Sequence, residues 1–143
     1  MTEVKKILLW LGIAAAGCFV LVRPAIPGAQ GAEGTYKDLS PREARELIVK
    51  RSVDPGFVLL DVRTPKEFEE ERIGGAVLID YLAGDFREKI SRLDREKTYL
   101  LYCRSGNRTI GALKVMKEQG FRDLRHLAGG IRKWKEAGFP TAR

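Results

Sequence analysis

The segment TYLLYCRSGNR, residues 98–108, decides the fold of this chain. Its first five residues are aromatic, β-branched or aliphatic and carry no charge, which predicts a short strand buried on both faces. The strand ends at Cys103, and a compact loop that contains Gly106 follows it. Apolar residues then recur at helical spacing from Ile110 to Met116, so we expect a helix after the loop.

The same alternation of strands and helices continues on both sides of this segment. Apolar runs predict further strands at residues 57–60, 76–79 and 124–127. Capping signals and apolar spacing predict helices at residues 41–51, 85–93 and 131–137, and a short charged helix that begins at Thr64. This order predicts an α/β fold in which helices cover both faces of a parallel sheet. Ligands of such folds bind beyond the carboxyl ends of the strands, where Asp61 and Cys103 fall.

The loop after the central strand has the features of an anion site. Gly106, and to a lesser degree Asn107, can adopt positive φ, which lets several backbone N–H groups turn inward. Donors of this kind, backed by the N-terminus of a helix, stabilise a negative charge at their centre. We therefore expect the Cys103 thiolate to form below the usual pKa of about 8.5, and the thiolate is the nucleophilic form of cysteine.

Two arginines and no acid accompany Cys103 in this loop. Cations near a helix N-terminus cost up to about 1 kcal/mol, so Arg104 and Arg108 are better explained by a bound anion than by helix stability. The alternative interpretation is that Cys103 is a small buried apolar residue at the end of a strand and that both arginines are solvated.

Three motifs of this sequence resemble those of rhodanese-like domains. The loop CRSGNR, residues 103–108, resembles their active-site loop, and LDVRTPKEF, residues 60–68, resembles their D-x-R-x-x-x-E-[FY] motif. LAGGIRKW, residues 127–134, resembles their closing L-x-G-G-x-x-x-W motif. The resemblance covers residues 35–140 and implies a rhodanese-like fold, with a central parallel sheet and helices on both faces. One departure is Arg72, which stands where the family often has a histidine.

The resemblance also implies a role for each residue of the loop. Cys103 is implied to be the nucleophile that accepts sulfur. Asp61 and Arg63 are implied to support the site structurally, Arg63 through an ion pair within the domain. The residues implied to bind the donor and to cradle the persulfide are Arg104, Ser105, Gly106, Asn107 and Arg108. The implied reaction moves a sulfane sulfur from a small anionic donor such as thiosulfate to cyanide or a thiol, through a covalent Cys103 persulfide. It needs no cofactor and no metal.

Two other functions stay open at this point. The first is a persulfide carrier or redox interaction module, which would hand its sulfur to a protein acceptor. The second is a cysteine phosphatase or arsenate reductase, whose loop has the pattern C-x5-R. Cys103 and Arg108 are separated by four residues instead, and the shorter loop suits a single sulfur atom better than a tetrahedral oxyanion.

The start of the chain has the pattern of an export signal. Two lysines precede an uncharged, mostly apolar run at residues 7–22, and a Pro/Gly/Ala-rich stretch follows at residues 24–32. This order predicts a signal peptide at residues 1–32, a rhodanese-like domain at residues 33–143 and a periplasmic or otherwise exported protein. The alternative is an uncleaved leader whose residues 7–22 tether the domain to the membrane, with the domain outside the cytoplasm.

Composition and charge narrow the set of partners. The chain has 143 residues and a formal net charge of +7 at pH 7. Its basic residues are scattered among acidic ones, so we expect no nucleic-acid binding, whereas a basic surface attracts small anionic substrates. The single histidine, His126, has no metal-ligand partners at suitable spacing and is predicted to be structural or exposed. Gly129 and Gly130 are predicted to form a tight turn.

Overall fold

The computed structural model describes residues 34–143, and the leader predicted for residues 1–32 lies outside them. The described strands are β1 (Thr35–Leu39), β2 (Phe57–Asp61), β3 (Val77–Leu78), β4 (Thr98–Tyr102) and β5 (Asp123–Leu127). The described helices are α1 (Pro41–Lys50), α2 (Pro65–Glu70), α3 (Phe86–Ser91), α4 (Asn107–Glu118) and α5 (Gly130–Glu136). The strands form one parallel sheet in the order β1-β5-β4-β2-β3. The predicted α/β fold with a central parallel sheet is confirmed.

The strand β4 lies in the middle of the sheet, and all of its residues are buried. It pairs with β2 on one side and with β5 on the other. Tyr99 and Leu101 pack on the same face as Cys103, whereas Leu100 and Tyr102 pack on the opposite face. Because both faces are covered, β4 has no polar side, and this is why its sequence is a continuous apolar run.

Helices cover both faces of the sheet. On one face, α3 and α4 bury side chains that include Phe86 and Met116 against the strands. On the other face, α1 and α5 contribute Ala44 and Trp134. Between residues 34 and 143, none of the helices is long and apolar enough to cross a membrane.

The two edge strands differ from the prediction. The strand β1 was not predicted, because its residues are polar or exposed and only Leu39 at its end is buried. The strand forms through its pairing with β5, which is a long-range contact. The predicted buried strand at residues 76–79 is also wrong in part, since β3 has two residues and Val77 is 52% exposed. An edge strand has one neighbour only, so its outer side stays in contact with water.

The residues after α5 form hydrogen bonds with the segment that follows α2. The Arg72 N–H donates to the Ala142 carbonyl at 2.9 Å, and the Ala142 N–H donates back at 2.7 Å. The Arg72 guanidinium lies 4.8 Å from the centre of the Phe68 ring and donates to the Arg143 carbonyl at 2.9 Å. The residue that departs from the family motif therefore holds the last residues of the chain in place.

Candidate active site

Cys103 follows β4 at the carboxyl edge of the sheet and is 1% exposed. It forms no disulfide with any residue between 34 and 143. Gly106, the residue immediately before α4, has a φ of 112°, which side-chain-bearing residues rarely adopt. This turn aims the Gly106 N–H at the cysteine, and it donates to Cys103 Sγ at 3.0 Å. The loop therefore provides an inward N–H at the position where the sequence predicted one.

The pKa of Cys103 is set by burial and hydrogen bonds acting in opposite directions. Burial is the largest single effect and raises the pKa, because a charge is poorly solvated inside the protein. Hydrogen bonds from Thr109, Gly106 and Ser105 lower it, and together they outweigh burial. The pKa of the Cys103 thiol therefore lies below its ordinary value, which favours the nucleophilic thiolate.

Thr109, in the first turn of α4, belongs to the site and was not predicted. Its side chain is fully buried, and its Oγ1 makes no well-formed hydrogen bond to any of the described residues. Its hydroxyl and its backbone N–H both lower the pKa of Cys103. A buried hydroxyl left unpaired costs about 1–3 kcal/mol, and the Cys103 sulfur is the group that this hydroxyl can serve. Its position directly after the CRSGNR loop was the available signal.

The Arg108 guanidinium forms an ion pair with an acidic side chain of another helix. Its Nη1 and Nη2 atoms donate to the two carboxylate oxygens of Glu67 in α2, at 2.6 and 2.8 Å. The pKa of Glu67 is lowered from 4.5 to about 2, mainly by this bidentate pair and in addition by hydrogen bonds from Thr64. Arg108 therefore has a carboxylate partner 41 residues away in the sequence, so its charge is explained without a bound anion. Arg104 is the arginine of the loop whose charge still favours an anionic guest.

Arg63 forms the ion pair expected of it within the domain, and its partner is Asp61 at the end of β2. Arg63 Nε lies 3.0 Å from both carboxylate oxygens of Asp61, and Nη2 lies 2.7 Å from Oδ2. The side chains are 0% and 5% exposed. Arg63 Nη2 also donates to the Glu71 carbonyl at 2.6 Å. This pair joins the end of β2 to the segment after α2, which is a supporting position.

Gly130 allows α5 to pack closely against the loop of residues 103–108. The Ile131 N–H donates to the Cys103 carbonyl at 2.9 Å, and the Arg132 N–H donates to the Arg104 carbonyl at 3.1 Å. A β-carbon at Gly130 would lie 2.3 Å from the Cys103 carbonyl oxygen, and the Gly130 φ is 62°. Gly129 and Gly130 are predicted as a tight turn. Gly130 also permits the close contact through which α5 supports the loop.

A cavity of about 850 Å³ opens beside the loop. Arg104 lines it together with Arg63, Glu67 and Ile131. Arg104 is exposed and forms no ion pair with any residue between 34 and 143. Ser105 and Asn107, the remaining predicted binding residues, are exposed on the same loop. In this part of the chain, no group of three or more His, Cys, Asp or Glu side chains is placed to hold a metal ion.

The three sequence motifs meet in one site. At its centre is a buried cysteine with a lowered pKa, in an amide-lined loop at the end of a parallel strand. The family model of the rhodanese-like domain matches residues 40–137. The chain belongs to the rhodanese-like family. The resemblance drawn from the motifs is thereby confirmed, and this rhodanese-like domain occupies nearly all of the described residues.

Two curated relatives are named for sulfur transfer. The chain is 36% identical over 107 residues to the thiosulfate sulfurtransferase GlpE of Coxiella burnetii, covering 75% of this chain and 94% of GlpE. It is 38% identical over 108 residues to the probable adenylyltransferase/sulfurtransferase MoeZ of Mycobacterium tuberculosis. That match covers 74% of this chain but 26% of MoeZ, so the chain spans about a quarter of the length of that relative.

A solved structure shows the same fold. The crystal structure of a rhodanese-related protein from Thermoplasma volcanium aligns with a TM-score of 0.63 at 29% sequence identity. The alignment covers 75% of this chain and 98% of that protein. The rhodanese-like fold implied by the sequence is therefore found as a whole in an independent structure.

Proposed function

We propose that this rhodanese-like domain is a sulfurtransferase that carries a sulfane sulfur on Cys103 as a persulfide. The observation that carries this proposal is the buried Cys103 sulfur, which accepts the Gly106 N–H at 3.0 Å in a loop that lowers its pKa. The names of GlpE and MoeZ support the same reaction class.

The first half-reaction loads the cysteine. The Cys103 thiolate attacks the outer sulfur of thiosulfate, a new S–S bond forms, and the S–S bond of thiosulfate breaks. Sulfite leaves with the bonding electron pair, so no external oxidant is needed. The persulfide anion has the same charge as the thiolate that it replaces, and the N–H donors of the loop stabilise both states.

The second half-reaction unloads the cysteine. Cyanide or the thiolate of an acceptor attacks the outer sulfur of the persulfide and forms a bond to it. The S–S bond to Cys103 breaks, and its electron pair restores the Cys103 thiolate for the next cycle. The negative charge on the sulfur is again unchanged. A rigid set of N–H donors can therefore stabilise the sulfur in both half-reactions.

The cavity beside the loop supports an anionic donor. Arg104 lines it and has no carboxylate partner between residues 34 and 143, so its positive charge is available to thiosulfate. The volume of about 850 Å³ is far larger than a small inorganic ion requires. We therefore include organic thiols, and a cysteine presented by a protein partner, among the proposed acceptors.

The decisive experiment is the intact mass of the protein before and after incubation with thiosulfate. We expect the wild type to gain one sulfur atom that cyanide then removes, and the matched variant Cys103→Ser to gain none. If the wild type gains no sulfur from thiosulfate or from polysulfide, the proposal is rejected. Incubation with an aryl phosphate and with arsenate then tests the phosphatase and arsenate reductase alternative.

We also propose that the domain works outside the cytoplasm. The support is the sequence of residues 1–32, where lysines, an apolar run and small residues follow one another as in a signal peptide. Intact mass of the protein from soluble and membrane fractions tests this. A soluble periplasmic form without residues 1–32 supports export with cleavage, whereas the full mass in the membrane fraction supports the tether through residues 7–22. A full-length cytoplasmic form rejects both.

A further inference from the structure

Arg132, in the first turn of α5, lies beside Arg104 of the loop that carries Cys103. Its backbone N–H donates to the Arg104 carbonyl at 3.1 Å, so the two residues are in contact through their backbones. Both residues line the cavity of about 850 Å³ beside the loop. The motif L-x-G-G-x-x-x-W leaves the identity of residue 132 open, and the family resemblance therefore gives Arg132 no role.

Acidic residues pair only weakly with these two arginines. The side chain of Arg132 is 61% exposed, and its Nε lies 3.9 Å from the Glu136 carboxylate, which is too far for a hydrogen bond. Glu136 instead accepts a hydrogen bond from Lys133 Nζ at 2.7 Å. Arg104 has no carboxylate partner between residues 34 and 143. Two cations thus line one cavity without an acid in hydrogen-bond contact.

The other charged side chains that line the cavity mostly have a partner of opposite charge. The pairs are Asp61 with Arg63, Glu67 with Arg108, and Glu71 with Lys135. Glu70 and Arg143 line the cavity without an ion pair in the described part of the chain, and their charges are opposite. The positive charge that is left over is therefore that of Arg104 and Arg132.

We propose that Arg104 and Arg132 together bind the sulfonate end of the sulfur donor, so that Arg132 is a further donor-binding residue. A guanidinium stays charged and offers a fork of N–H donors that fits two oxygens of an anion. A donor with two negative charges binds two such groups and offsets the repulsion between them. The inference rests on the proposed function, and it makes the second negative charge of the donor the feature that the cavity recognises.

Loading of the cysteine increases the effect of these two cations. When the Cys103 thiolate attacks the outer sulfur of thiosulfate, the S–S bond of thiosulfate breaks, and its electron pair moves onto the sulfonate group, which leaves as sulfite. Negative charge on this group grows during the step, so cations beside it stabilise the transition state more than the bound donor. Transfer of the sulfur from the persulfide to 2-mercaptoethanol involves no oxyanion. Arg132 should therefore act on the donor and not on this acceptor.

The test compares two donors that differ by one charge. Thiosulfate carries two negative charges, whereas methanethiosulfonate carries one, because a methyl group replaces an oxygen on the same sulfur. A double displacement separates the half-reactions, so kcat/KM of each donor is independent of the acceptor, 2-mercaptoethanol. We expect Arg132→Gln to lower kcat/KM at low salt at least about threefold more for thiosulfate than for methanethiosulfonate, and to leave kcat/KM for 2-mercaptoethanol unchanged. An equal loss for both donors overturns the proposal.

Two further variants separate this charge effect from other causes. Glu136→Gln removes the acid that lies 3.9 Å from Arg132, and it should therefore increase the preference for thiosulfate. Lys114→Gln removes one positive charge from the exposed side of α4, outside the cavity, and is the matched control for net charge. It should leave the ratio of the two donors unchanged. A loss of preference in Glu136→Gln, or in Lys114→Gln as large as in Arg132→Gln, also overturns the proposal.

A binding measurement distinguishes failure of this inference from failure of the proposed function, since it needs no turnover. Cys103→Ser is titrated with thiosulfate and followed by the NMR signals of its backbone amides, with and without Arg132→Gln. We expect Arg132→Gln to raise Kd at least about threefold. Weaker binding in the double variant, without sulfur transfer by the wild type, would reject the function and keep the role of Arg132. Sulfur transfer with equal Kd values would reject the role of Arg132 and keep the function.

Discussion

The ion pair between Glu67 and Arg108 offers a direct test of what stabilises the loop of residues 103–108. It joins α2 to the first turn of α4 through two hydrogen bonds of 2.6 and 2.8 Å. The substitution Glu67→Gln keeps the size of the side chain and an oxygen that can accept from Arg108. It removes the negative charge, and it therefore isolates the electrostatic part of the interaction.

The expected loss is worked from the pKa of Glu67. A fall from 4.5 to about 2 corresponds to about 3 kcal/mol, because each pKa unit is worth about 1.4 kcal/mol. The side chains of Glu67 and Arg108 are 26% and 21% exposed, so solvent screening reduces this figure. We expect Glu67→Gln to lower the free energy of unfolding by about 2 kcal/mol at pH 7.

The lowered pKa of Glu67 also sets how the stabilisation by this residue depends on pH. Since folding lowers the pKa of Glu67, the stabilisation is complete above about pH 4.5 and is lost as the pH falls through about 2. The gap between wild type and Glu67→Gln in urea denaturation should therefore narrow from pH 5 toward pH 2. Glu70→Gln, on the exposed side of the same helix, is the control and should match the wild type. Equal stability of the two variants, or a gap that stays constant with pH, would show that the charge of Glu67 does not stabilise the fold.

Three further predictions concern the loop and its surroundings. Thr109→Val removes a hydroxyl that lowers the pKa of Cys103, so alkylation at pH 7 should slow at least about threefold; an unchanged rate would exclude the hydroxyl from the site. Gly130→Ala places a β-carbon 2.3 Å from a carbonyl oxygen and should cost at least about 3 kcal/mol in urea denaturation. The control Gly74→Ala, which has nothing within 4 Å, should change stability by less than about 1 kcal/mol. Arg104→Gln should raise KM for thiosulfate at least about threefold at low salt with unchanged unfolding, and a KM equal to that of the wild type would remove this arginine from donor binding.

Features encoded over a few neighbouring residues could be predicted from the sequence. The helix starts at Ser40 and Thr64 are both capping boxes with a proline at the first helical turn, and the structure contains both. The buried run of β4 was predicted because a strand covered on both faces has no polar residue. The positive φ of Gly106 was predicted because few other residues adopt it.

Features that depend on pairing between distant segments could not be predicted. The strand β1 has a polar sequence and exists because β5 supplies hydrogen-bond partners at the sheet edge. Thr109 lies directly after the CRSGNR loop, but the burial of its hydroxyl depends on the packing of α4 against the sheet. Gly130 looked like a turn glycine, because its contact with the Cys103 carbonyl comes from a different part of the chain.

The fold class, the position of Cys103 at the end of a central strand and the amide-lined loop around it could be predicted from the sequence alone. These depend on periodicity, on glycine conformation and on motifs within short windows of the chain. Only the tertiary structure decided which charges meet: Glu67 with Arg108, and Asp38 with His126, which are 41 and 88 residues apart. Electrostatic partners act through space over a few ångströms, whereas spacing along the chain does not encode which strands and helices will be neighbours.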